Sequence, residues 1–153
     1  MSKKSYGQSA DTDLSLFVRL QRAAIFLQRE VAKITMEHGL TLSQFAVLEA
    51  LYHKGDLNIC QIMSKILATS GNLTVVIRNL EKQGLVKRLQ DPDDKRAYLI
   101  SLSDEGRALT AQVFPKQLAI LEEYLAIYTE PEKLMMIEKL NQLRTWEKKE
   151  DCK

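Results

Sequence analysis

The chain has 153 residues, 45% of them apolar and 27% charged, which fits one folded domain over 1–153 and excludes a disordered chain. Its net charge of +2 is too small to identify a partner, so any electrostatic signal has to lie in local clustering. No apolar run approaches the ~18 residues of a membrane span, and the opening MSKKSYGQSADTD lacks the apolar block of a secretory signal, so a cytoplasmic location is expected.

From about Asp13 to His38, Leu16, Leu20, Ala23, Leu27, Val31 and Ile34 recur at helical spacing, widened by Phe17, Val18, Ile25 and Phe26. Gly39 is the expected stop. Thr41-Leu42-Ser43-Gln44 has the form of a capping box and opens a second helix reaching about His53. After the turn KGDLNI, a third helix over Cys60–Leu67 places Ile62, Met63, Ile66 and Leu67 on one face. A fourth runs from about Asn72 to Gln83 and is ended by Gly84, so that two short helices with a tight turn between them form a helix-turn-helix.

Within that fourth helix Leu73, Val76, Ile77 and Leu80 converge on a core face. The opposite face shows Gly71, Asn72, Thr74, Val75, Arg78, Asn79 and Lys82, light in acids. LVKRLQ and AYLISLS then alternate as strands around DPDDK, whose Pro and Asp residues favour a turn. A β-hairpin directly behind a helix-turn-helix is the arrangement of a winged helix, here over 41–103.

Ser103, followed by Asp104 and Glu105, starts a long helix to about Tyr128, and Thr129-Glu130-Pro131-Glu132 opens a last one carrying Leu134, Ile137, Leu140 and Leu143. The first helix and these last two, over 13–40 and 104–148, show more apolar surface than a chain of this size buries alone. They are therefore expected to pack against the same helices of a second copy, and the expected fold is mainly α with a small β-hairpin wing and a helical dimerisation region.

A winged helix that binds DNA needs a helix suited to the major groove and cations along the backbone. Asn72, Thr74, Arg78 and Asn79 have side chains able to read base edges, while Lys82, Lys87, Arg88, Lys95 and Arg96 offer phosphate or minor-groove contacts. An aspartate of the Asp91-Pro92-Asp93-Asp94 turn is expected to hold the Arg96 guanidinium in a fixed orientation.

TSGNLTVVIRNLEKQGLVKR followed by DPDDKRAYLISLSDEG closely resembles the MarR family of bacterial transcription regulators, through the recognition helix, the Asp94-Lys95-Arg96 wing and the L-S-x-x-G start at Leu102–Gly106. The resemblance implies a homodimer whose winged helices dock the two halves of a near-palindromic operator in double-stranded DNA. It implies that Thr69, Ser70, Asn72, Thr74 and Arg78 lie at or near the major groove, with Lys95 and Arg96 near the minor groove. Arg78 stands where many members carry an acidic residue. Release by a small aromatic or phenolic compound, or by cysteine oxidation, is also implied. The early cysteine of the peroxide-sensing branch is missing from DLSLFVRLQRA, which leaves Cys60 as the thiol to consider, and His38, Tyr52 and His53 fall near the junction where a ligand pocket would form.

Repression by occupying a promoter is the leading expectation. A winged helix used for protein contact is the alternative class, although such a face should be richer in large apolar residues. An enzyme is not expected, because there is no Gly-rich phosphate loop, no metal-ligand spacing, no cofactor motif and no nucleophile with an evident base. Cys60 and Cys152 lie far apart without metal-type spacing, and no disulfide is expected.

Overall fold

The computed structural model describes residues 4–66, 70–94 and 96–144. Helix α1 spans Gln8–Glu37 and begins before Asp13, because the Asp11 carboxylate accepts hydrogen bonds from the Tyr6 N–H and the Ser5 hydroxyl and ties down the residues ahead of it. Helix α2 spans Leu42–Lys54. The Gln44 N–H donates to Thr41 Oγ1 and the Thr41 N–H to Gln44 Oε1, completing the capping box. A second reciprocal cap, missed in the sequence, opens α3 (Ile59–Ile66): the Gln61 N–H donates to Asn58 Oδ1 and the Asn58 N–H to Gln61 Oε1, both at 2.9 Å.

Helix α4 spans Ser70–Lys82. It ends where the Leu85 N–H donates to the Leu80 carbonyl at 2.9 Å, a closure that places Gly84 at φ +70°, a region that glycine enters without steric cost. Strands β1 (Val86–Gln90) and β2 (Tyr98–Leu102) pair antiparallel, from Val86 opposite Leu102 to Gln90 opposite Tyr98. Leu57 exchanges two backbone bonds with Ile100 and so docks the residues ahead of α3 on the hairpin, a pairing between positions too distant in sequence for periodicity to show.

Helix α5 spans Asp104–Leu125, ending short of Tyr128, with an exposed Pro115 inside it that removes one internal donor. Helix α6 spans Glu130–Arg144. Its start departs from the expected box in one respect: the Glu132 carboxylate accepts from both the N–H and the hydroxyl of Thr129.

One core holds the middle of the chain together. Phe45, Leu48 and Leu51 of α2, Ile62 of α3, Leu73, Ile77 and Leu80 of α4, Ile100 of β2 and Val113 of α5 are essentially inaccessible to solvent. Their burial rigidly fixes α4 and the hairpin relative to each other, since a packed interior tolerates little displacement. By contrast α1 buries only Val31, Ile34 and Thr35, near its C-terminal end. Leu16, Phe17 and Leu20 remain exposed, as do Leu134, Ile137, Leu140 and Leu143 of α6. No helix among the described residues is long and apolar enough to cross a membrane.

Candidate nucleic-acid interface

The burial of α4 follows its sequence pattern. Leu73, Val76, Ile77 and Leu80 face the core, while Asn72, Val75, Arg78, Asn79 and Lys82 are exposed and Thr74 is half-buried. The single acid of this helix, Glu81, is drawn sideways: Arg88 Nε of β1 donates to Glu81 Oε1 at 2.8 Å. Both side chains are partly exposed, so the pair adds at most about 1 kcal/mol to stability. Its electrical effect matters more, because it neutralises the only negative charge on α4 and leaves Arg78 and Lys82 unopposed on that helix. Sequence reading assigned Arg88 to phosphate contact and gave Glu81 no role, since the pair forms only after the Gly84 turn folds β1 back beside the helix.

The hairpin carries Lys87 exposed on β1 and Arg96 exposed beyond the turn. Here one expectation is corrected. Among the described residues no carboxylate pairs with the Arg96 guanidinium. Asp94 Oδ1 instead accepts the backbone N–H of Arg96 at 2.9 Å, and Asp91 Oδ1 accepts that of Asp93 at 2.9 Å. A backbone donor two residues away is already in place and requires no long side chain to be immobilised, so it wins over the guanidinium. With the Asp91 N–H bonded to the Ala97 carbonyl and the Ala97 N–H to the Asp94 carbonyl, these aspartates shape the turn and leave the cation to solvent. Thr69 and Lys95 lie outside the described residues, as does the side chain of Ser70, whose backbone opens α4.

Ser103 explains the L-S-x-x-G string. Its hydroxyl accepts the Gly106 N–H at 2.9 Å, capping α5, and donates to the Gly84 carbonyl at 2.6 Å, while its N–H donates to the Leu85 carbonyl at 3.1 Å. The start of α5 is thereby fastened to the turn that joins α4 to the hairpin.

The three residues considered for a ligand pocket all meet α5. His38 ends α1 with Nδ1 donating to the Ile34 carbonyl at 2.9 Å, and its Nε2 accepts from the Lys116 ammonium at 3.1 Å. The His53 ring packs edge-on against Phe114, with centroids 4.6 Å apart, and the Arg107 guanidinium lies 5.9 Å from the centre of the Tyr52 ring. Gln117, on the same helix, donates from Nε2 to Glu49 of α2, while its buried Oε1 has no partner among the described residues. Of the α5 partners, Phe114 was legible only as part of the apolar stripe of that helix and Arg107 and Lys116 carried no sequence signal of their own, because their roles depend on how α5 packs in the fold. Cys60 is exposed in the first turn of α3, and Cys152 lies outside the described residues. Among the described residues no group of His, Cys, Asp and Glu could hold a metal ion.

This geometry agrees with what the chain is similar to. The model of the MarR family matches residues 40–98, the stretch from α2 to the start of β2. The HTH-type transcriptional regulator MhqR of Bacillus subtilis (strain 168) is 36% identical over 133 residues, covering 87% of this chain and 92% of that protein. The HTH-type transcriptional repressor MdtR of the same organism is 30% identical over 125 residues, covering 82% and 78%. Among solved structures, that of Bordetella bronchiseptica BpsR, described for the regulation of its DNA binding by 6-hydroxynicotinic acid, shares the fold with a TM-score of 0.66 at 22% identity, covering 82% of this chain and 98% of that one. With its helix-turn-helix, hairpin and flanking helices in the matching order, the chain belongs to the MarR family of helix-turn-helix transcriptional regulators.

Proposed function

We propose that the protein binds a near-palindromic operator in double-stranded DNA as a homodimer, represses transcription from it, and releases it on binding a small aromatic or phenolic effector. The observation that carries this reading is the exposed side of α4, where Asn72, Arg78, Asn79 and Lys82 stand together and the one acid is neutralised by Arg88. Arg and Asn are the side chains best matched to guanine and adenine edges in the major groove. Lys87 and Arg96 on the hairpin, with Lys95, supply phosphate or minor-groove contacts, and Thr69, Ser70 and Thr74 join the major-groove set.

Two copies are required for a palindrome, and the uncovered apolar faces of α1 and α6 supply a surface for the second. The relative named as a repressor supports repression. The effector is supported by the aromatic rings of Tyr52, His53 and Phe114 and the Arg107 guanidinium, which meet where α2 packs on α5 and match the chemistry of a ring bearing an acidic group, with His38 bonded to Lys116 of α5, and by the hydroxylated aromatic acid named for BpsR. A DNA partner implies a cytoplasmic location.

Selection of bound sequences from random duplex DNA, repeated at rising salt, tests the reading. A near-palindrome with half-sites about one helical turn apart is expected, and its affinity should fall steeply with salt as phosphate counterions are released. Failure of a folded, dimeric protein to select any sequence would overturn it.

A further inference from the structure

Val75 lies at the centre of the exposed side of α4. Asn72 stands one turn before it, and Arg78 and Asn79 one turn after, the spacings that place side chains on one helical face. Its side chain is 51% exposed, and between residues 40 and 88 it is the one large apolar side chain that stands this open among the described residues. The exposed side chains described around it on that face, Asn72, Arg78, Asn79 and Lys82, are polar or basic. The other exposed apolar residues are mostly gathered on α1, α5 and α6, where a second copy covers them in the proposed dimer.

Valine is a poor choice for a solvated helix position. Its branched side chain loses rotamer freedom against the preceding turn and costs about 0.5 kcal/mol relative to alanine. The same stiffness gives it a use: the two methyl groups form a small, fixed apolar surface beside an Arg and two Asn side chains. A base edge in the major groove carries one apolar feature, the C5 methyl group of thymine. Polar neighbours on the helix can bond the flanking bases while Val75 meets that methyl, a contact that excludes water from both surfaces.

We propose that Val75 reads the C5 methyl group of one thymine in each half-site of the operator. The proposal rests on the DNA-binding reading above and adds a base and a chemical group to it. Neither hydrogen bonding nor charge contributes to this contact, so it discriminates thymine from uracil, which keeps the same pairing and the same O4 acceptor.

The test uses the full-length protein and the duplex recovered by selection. Each thymine is replaced in turn by deoxyuridine, symmetrically in both half-sites, and binding is measured by fluorescence anisotropy with wild type and with Val75→Ala. For wild type, one such symmetric replacement should weaken binding by about 15-fold, the loss of two buried methyl groups at about fourfold each. Val75→Ala should bind the thymine duplex more weakly and be indifferent to uracil at that same position. Its thermal transition should be unchanged or raised, since the site is exposed and alanine favours helix. Sensitivity to uracil that persists in Val75→Ala would overturn the proposal, as would a wild type indifferent to uracil at every thymine or a selected sequence without thymine in its half-sites. In each of those results specific binding survives, so the broader reading stands; if no duplex is selected at all, both fail together.

Discussion

Gly106 is buried where the first turn of α5 meets the turn that leads into the hairpin. A Cβ at this position would sit 2.0 Å from the Leu85 carbonyl oxygen and 2.9 Å from its carbon. That carbonyl cannot retreat freely, because it accepts the Ser103 N–H that fastens α5 to the hairpin. Gly106→Ala is therefore expected to lower stability by about 2 kcal/mol or more, although alanine is the better helix former by about 1 kcal/mol. Urea unfolding measures this; a midpoint equal to that of wild type would show that the junction yields without strain. Within L-S-x-x-G the cap at Ser103 was legible, since Ser followed by two acids is a local helix-start pattern. The need for glycine was not, since its reason lies in a backbone oxygen from another element. The same division holds for Asp94, recognised as a wing residue and found bonded to the backbone instead of to the Arg96 guanidinium.

Between elements, one carboxylate takes part in joining α1 to α5. Glu30 accepts from the Lys33 ammonium at 2.7 Å and from the Tyr124 hydroxyl at 3.3 Å, while the Tyr124 ring meets Phe26 edge-on with centroids 4.9 Å apart. The hydrogen bond from Lys33 is the chief reason that the Glu30 carboxyl titrates below its ordinary range, and burial opposes it. A carboxyl with a lowered folded pKa stabilises the fold fully above the ordinary glutamate value of about 4.3, and this contribution is lost as pH falls through the folded value. Wild type should accordingly exceed Glu30→Gln in unfolding free energy near neutrality, with the gap closing in acid. Paired denaturation curves from neutral pH down to about pH 3 check this, and a gap that does not change with pH would remove the role assigned to Glu30. The helices themselves were readable from their periodicity and caps. Which residues of α1 meet α5 was not, because an apolar stripe as broad as the one on α1 fits several orientations.

At the scale of the whole molecule, the middle of the chain is closed around its core while both ends are open. Leu134 and Leu143 of α6 are 60% and 64% exposed, and Leu14 and Phe17 of α1 are more than half exposed. Burying a side chain of this kind stabilises by about 1.5–3 kcal/mol, and several together outweigh the ~4–15 kcal/mol lost on association. In sedimentation the wild type is expected at twice the chain mass, with a thermal midpoint that rises with protein concentration. Replacing Leu134 and Leu143 together with Glu should halve the mass or lower the midpoint; a monomeric wild type, or a double variant that sediments and melts as wild type does, would refute the proposed dimer.

What the sequence by itself determined was encoded at short range: the capping box at Thr41, the helix start at Thr129, the core side of α4, the Gly84 stop, the hairpin around its Pro-Asp turn, and from their order the winged helix. These depend on residues three or four apart, or two apart in strands, so spacing alone exposes them. Tertiary structure alone decided the Glu81–Arg88 pair, the exclusion of a side chain at Gly106, the Leu57–Ile100 bridge and the meeting of His53 with Phe114. Each joins residues brought together only by folding, and distance in space between such residues leaves no periodic trace along the chain.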